Sequence, residues 1–130
     1  MNTKILMTLT SFMLALAGVC ALFAPDLIAR WAGASPSGPL LALIQLMGAL
    51  YFGFALMNWS AKESAIGGIY ARPVSLGNFA HFFIGTLLLT RYEFSAPFNL
   101  LMLAFLLTYA IFASLFYWLV FRATGGPSVG

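Results

Sequence analysis

The sequence predicts an all-α protein, an integral membrane four-helix bundle with short loops and antiparallel neighbours. Two observations carry that reading. The 130-residue chain is 62% hydrophobic and only 7% charged, with a mean hydropathy of +0.98, whereas soluble domains carry about 25% charged residues. Such a surface is solvated by acyl chains and not by water. The second observation is segmentation. The six basic and three acidic residues fall between four apolar stretches, at about 5–24, 40–59, 74–90 and 98–121. Each is near the ~20 residues that let a helix cross ~30 Å of hydrocarbon, the third being slightly short. None alternates polar and apolar residues as a barrel strand would. Residues 1–130 thus read as a single transmembrane domain.

The first stretch runs from Ile5 to Ala24, between Lys4 and Pro25-Asp26. Its basic start MNTK and the ALA at 15–17 look like a secretory leader, but the apolar run continues past that site. It is therefore expected to remain as a helix. LAGVC is a poor lipoprotein signal, because Val19 stands where a small residue is needed. The second stretch, Leu40 to Trp59, follows the breaker-rich GASPSGP and precedes SAKES. The third, Val74 to Thr90, lies between Arg72-Pro73 and Arg91. The fourth, Phe98 to Phe121, is opened by Pro97 and closed by Arg122. Short connections make consecutive helices antiparallel neighbours. The longest, SAKESAIGGIYARP with Gly67-Gly68 at its middle, is expected to lie along the membrane surface.

Four spans put both termini on one side, with Lys4, Lys62, Arg72, Arg122 and Glu63. Arg30, Arg91, Asp26 and Glu93 fall on the other. Four basic residues against two place both termini in the cytoplasm of a multi-pass inner-membrane protein. The same imbalance argues against dual topology. Trp59, Tyr70 and Trp118 fall at the inner interface, and Trp31 and Tyr92 at the outer one. The net charge of +3 is scattered, with no basic run, so nucleic acid is not an expected partner. The expected partner is the lipid bilayer, with a homo-oligomer or a larger membrane complex as its setting.

Lipid gives no hydrophobic push between helices, so small and polar residues mark the contacting faces. In the third helix Gly77, His81 and Gly85 recur at four-residue spacing, with Asn78 three before His81. This stripe points into protein. His81, the chain's single histidine, lies near mid-depth, as do Tyr51 in the second helix and Tyr109 in the fourth. Gln45 and Thr86 come out level with each other nearer the outer side, and Asn58 and Asn78 toward the inner side. Burial disfavours a charged imidazole, and the neutral ring still has a donor and an acceptor to satisfy. His81 is therefore expected to hydrogen-bond a tyrosine hydroxyl or a facing amide, locking the helices in register. The alternative is a ligand pocket in which His81, Asn78, Tyr51, Tyr109 and Gln45 are the few polar contacts of an apolar cavity. Gly48, Ala49 and Gly53, Ala110 and Ser114, and Ala17 and Ala21 mark close-approach faces on the second, fourth and first helices.

Catalytic constellations are absent from the sequence. No carboxylate lies within a span to work with His81, and there is no phosphate loop and no HExxH. A proton pathway would use intramembrane carboxylates. Haem would have to be held by His81 alone or with a second copy. No metal site is expected: the single Cys20 lies at a different depth from His81 and reads as a small residue packed in its helix.

The segments LFAPDLIARWAG and LIQLMGALYFGFALMNW give a layout that resembles small bacterial four-helix membrane proteins of the DoxX-like group. Gln45 before Gly48 stands where that group's arginine would be expected. The resemblance implies a four-helix bundle sometimes associated with quinone-linked membrane oxidoreductases, and it carries no catalytic residue onto this chain. The leading functional expectation is a non-catalytic membrane subunit or binding module, holding a hydrophobic ligand such as a quinone or lipid at a midplane polar layer. The alternatives are an oligomeric channel or small-solute transporter lined by Gln45, Asn78 and His81, and a haem- or quinone-linked redox subunit.

Overall fold

The computed structural model describes residues 2–63 and 71–121. Five helices follow in order: α1 (Thr3–Phe23), α2 (Pro25–Trp31), α3 (Gly38–Ala61), α4 (Ala71–Ser95) and α5 (Leu100–Phe121). All but α2 are long and apolar enough to cross a membrane. The architecture is an all-α bundle, and no strand occurs among the described residues. Large apolar side chains such as Leu16, Leu46 and Phe94 stand exposed on its outside, where acyl chains would solvate them. The Gly67-Gly68 segment, Tyr70 and Arg122 lie outside the described residues.

The helix ends differ from the apolar stretches for identifiable reasons. α4 is longer than the stretch 74–90, and Arg72, Pro73, Arg91 and Glu93 are helical. Charge limits the hydrocarbon-soluble run but not the helix, whose backbone hydrogen bonds do not depend on side-chain hydropathy. Pro73 falls within the first turn, where its missing N–H has no intrahelical partner to lose. α5 starts at Leu100 and not at Phe98, because Asn99 is its cap: Oδ1 accepts from Leu101 N and Met102 N at 2.9 and 3.2 Å.

The short α2 is an element that hydropathy did not separate from its surroundings. Pro25 sits at its first position. Gly33, at φ +79°, ends it in a Schellman arrangement, with Gly33 N donating to Arg30 O and Ala34 N to Ala29 O.

The four long helices form two tight pairs. In the first, α1 runs antiparallel to α3, with Gly18 against Gly48. A Cβ on Gly18 would lie 2.8 Å from the Gly48 carbonyl oxygen and 3.0 Å from Phe52 N. Toward the N-terminus of α1, buried Ser11 donates its hydroxyl to Ala55 O at 2.7 Å. Gly53 and Gly77, expected on close-approach faces, instead have open space beside them. Cys20, expected to be packed, is exposed on α1.

In the second pair, α4 packs on α5 through aromatic rings. Phe82 is fully buried and stacks with Phe112 and Phe116 at centroid distances of 5.1 and 6.0 Å. Large side chains fill the seam between the pairs, among them Met7, Leu14, Phe82 and Phe116.

Polar bridges cross that seam at three depths. Asn58 of α3 meets Asn78 of α4 toward one end. Tyr51 of α3 meets Tyr109 of α5 at the middle. Asn99 donates to Trp31 O at 2.8 Å at the α2 end. At the opposite end Lys4 pairs with Glu63 at 2.9 Å. The hydrogen bond and positive charge of Lys4 hold the Glu63 carboxyl below its ordinary value.

Candidate functional site

Tyr51 and Tyr109 are both buried, and their hydroxyl oxygens lie 2.5 Å apart. Tyr109 can reach the centre of the bundle because Gly85 lies beneath its ring; a Cβ there would collide with ring carbons Cδ1 and Cε1. On its other side the Tyr109 hydroxyl is 3.1 Å from His81 Nε2. The result is a three-member chain, Tyr51–Tyr109–His81, drawn from α3, α5 and α4. The imidazole is held by rings: Phe54 lies at 5.2 Å, Phe82 at 5.1 Å and Tyr51 at 5.7 Å between centroids. Among the described residues its Nδ1 has no hydrogen-bond partner, and it is not one of the sealed, unpaired atoms of the interior.

Of the five residues singled out from the sequence, the structure thus joins three. The other two lie elsewhere. Asn78 is fully buried but faces Asn58, each amide donating to the other at 2.9 Å. The second N–H of each goes to its own helix, to Phe54 O and Val74 O at 2.9 and 2.8 Å. The pair is closed and offers no free N–H to a ligand.

Gln45 is exposed and donates to Leu22 O at 3.1 Å. The physical reason lies in α1, whose last carbonyls have no intrahelical donor; Gln45 supplies one and so turns away from His81. Thr86, expected level with Gln45, bonds back to Phe82 O within its own helix.

Beside the chain is a cavity of about 520 Å³. Ala17 and Ala21 of α1, Ile28 of α2, Met47 of α3, and Met102 and Phe105 of α5 contribute apolar walls, and α4 adds Ile84, Leu88 and Leu89. Tyr51 and His81 also line it. They stand at its mid-depth end, and the remaining lining residues belong to the half of the bundle that carries α2. In the other half the core is filled by Leu6, Met7, Ala55, Phe116 and Leu119. The cavity therefore has a floor, and the floor is where its polar groups are.

Sequence reasoning missed Gly18, Asn58 as the partner of Asn78, and Asn99. Two of these carried a signal. Tyr51, Ala55 and Asn58 follow at helical spacing, so the stripe that buries Tyr51 buries Asn58 as well. Asn99 stands directly before an apolar run, where a helix cap is expected. Gly18 carried its signal only jointly with Gly48, since a small residue matters where another faces it. Among the described residues no three His, Cys, Asp or Glu side chains gather in a metal-holding group. Compared with known proteins, the chain matches no family model, no curated protein and no solved structure.

Proposed function

We propose that the protein is a small non-catalytic membrane module that draws a hydrophobic ligand from the bilayer into the cavity between its two helix pairs. The observation that carries this reading is the cavity itself, about 520 Å³ of apolar space ending on Tyr51 and His81. Apolar walls with a few convergent polar groups are the usual form of a small-molecule site. Lipids and quinones share the chemistry that fits: a long apolar body carrying an uncharged oxygen-bearing head. The resemblance to the DoxX-like group, with its quinone-linked associations, points to the same ligand class. The module would sit in an inner membrane with both termini cytoplasmic, alone, as a homo-oligomer or as a subunit of a larger complex.

The polar groups support a binding site over a channel. Gln45, Asn78 and His81 are held in three separate hydrogen-bonded sets, so they do not line a common path.

Native mass spectrometry from mild detergent tests the proposal. The wild-type chain is expected to retain an apolar molecule that Ala17→Phe, which fills the cavity from α1, releases. A wild-type chain that carries no more adduct than Ala17→Phe would overturn it.

A further inference from the structure

The chain at the cavity floor is built only from groups that can both donate and accept. Two hydroxyls and one neutral imidazole hold three exchangeable protons and share two hydrogen bonds. When the central Tyr109 hydroxyl donates in one bond and accepts in the other, the third proton is left at one end of the chain or the other. If the imidazole proton is on Nε2, it donates to the Tyr109 oxygen, Tyr109 donates to Tyr51, and the Tyr51 hydroxyl hydrogen is free. If Tyr109 donates to Nε2 instead, Tyr51 donates to Tyr109, the Tyr51 oxygen becomes a free acceptor, and the imidazole proton sits on Nδ1. Tyr51 and His81 line the cavity and Tyr109 is not among the lining residues, so a ligand meets an end of the chain and not its middle, and at the Tyr51 end it meets either a free hydrogen or a free acceptor.

We propose that Tyr51–Tyr109–His81 is a hydrogen-bond chain of reversible polarity, which fits the cavity to neutral apolar molecules presenting either a carbonyl or a hydroxyl at the same position. This rests on the ligand-binding reading above and adds the head-group class. The reversal balances: water reaching the cavity gives one proton to Nδ1, each proton along the chain moves one bond, and water takes the one that leaves Tyr51. Three protons are held before and after, and no charge remains. Nδ1 is suited to that exchange because, among the described residues, nothing bonds it and it is not one of the sealed atoms. The Asn58–Asn78 pair shows the contrast, since an amide has fixed donor and acceptor atoms and its bonds are closed. A site ending in such an amide would recognise one form of a carbonyl and hydroxyl couple and reject the other. The tyrosine chain accepts both.

The chain's single histidine makes the proposal readable, because ¹⁵N NMR of labelled histidine reports the His81 tautomer with no overlap. The 130-residue chain in nanodiscs is titrated with methyl nonyl ketone, which only accepts, and with skatole, whose N–H only donates. The ketone is expected to shift the tautomer ratio toward Nε2–H and skatole toward Nδ1–H. Each shift should be about fivefold, as one hydrogen bond of ordinary net strength produces. In Tyr109→Phe, which keeps the ring on Gly85 and cuts the chain, both probes still bind and the tautomer no longer responds. Binding of both with an unchanged tautomer in the wild type, binding of only one, or a response that survives in Tyr109→Phe overturns the proposal and leaves the cavity reading standing. Binding of neither overturns both.

Discussion

Asn58 and Asn78 carry four amide hydrogens into the fully buried interior, and every one of them has an acceptor. Removing one partner strands the other. Interhelical hydrogen bonds in membranes are worth on average about 0.6 kcal/mol, but an orphaned buried amide costs about 1–3 kcal/mol, and the second effect dominates. Asn78→Leu is therefore expected to destabilise the bundle by about 2 kcal/mol in detergent-titration unfolding. Asn58→Leu combined with Asn78→Leu should recover part of that loss, because no amide is then left unpaired. A double variant as unstable as the two single losses added together would show that the pair does not act as a unit. At this scale depth was legible in the sequence, and with it the meeting of His81, Tyr51 and Tyr109. A polar side chain in hydrocarbon must find a partner at its own level, and few are on offer. Gln45 was not legible by the same count, because its partner is a backbone carbonyl at the end of α1, which every residue type exposes alike.

Helix ends and helix contacts obey different rules, and only some of them are written in hydropathy. The four spans follow from apolar length. The extension of α4 over Arg72, Arg91 and Glu93 does not, since hydropathy measures solubility in acyl chains and not hydrogen bonding along the backbone. Close contacts are the harder case. Gly18, Gly48, Gly53 and Gly77 are the same residue to any composition argument, yet only the first two meet a neighbouring backbone. A Cβ on Gly48 would lie 2.8 Å from the Ala21 Cβ and 2.9 Å from the Gly18 carbonyl oxygen. Neither atom can move without shifting α1. Gly18→Ala and Gly48→Ala should each cost at least the ~1–3 kcal/mol typical of overpacking. Gly53→Ala and Gly77→Ala, with nothing within 4 Å of the added atom, should cost nothing measurable. Thermal unfolding of the four variants in one detergent separates the two classes, and equal losses in all four would remove the close packing of α1 on α3 as their cause.

The whole molecule is two tight helix pairs whose seam is bridged at both ends and at mid-depth, and this architecture leaves its orientation to charge. Lys4, Lys62 and Arg72 belong to the end where Lys4 meets Glu63, and the Lys62 ammonium lies 2.8 Å above the centre of the Trp59 ring. Arg30 and Arg91 belong to the α2 end. Pairing with Glu63 does not cancel Lys4 during insertion, because acidic residues contribute little to the positive-inside effect. The proposed cytoplasmic termini thus rest on four basic residues against two, a bias small enough to reverse. Lys4→Gln and Lys62→Gln leave Arg72 and Arg122 at one end. Ser35→Lys and Ser37→Lys, in the connection between α2 and α3, raise the other to Arg30, Arg91 and two lysines. The balance becomes two against four, and the fourfold variant is expected to insert inverted. With fluorescent-protein and alkaline phosphatase fusions at the C-terminus, the wild type should fluoresce without phosphatase activity and the variant should do the opposite. A variant that kept the wild-type pattern would show that loop charge does not orient this chain.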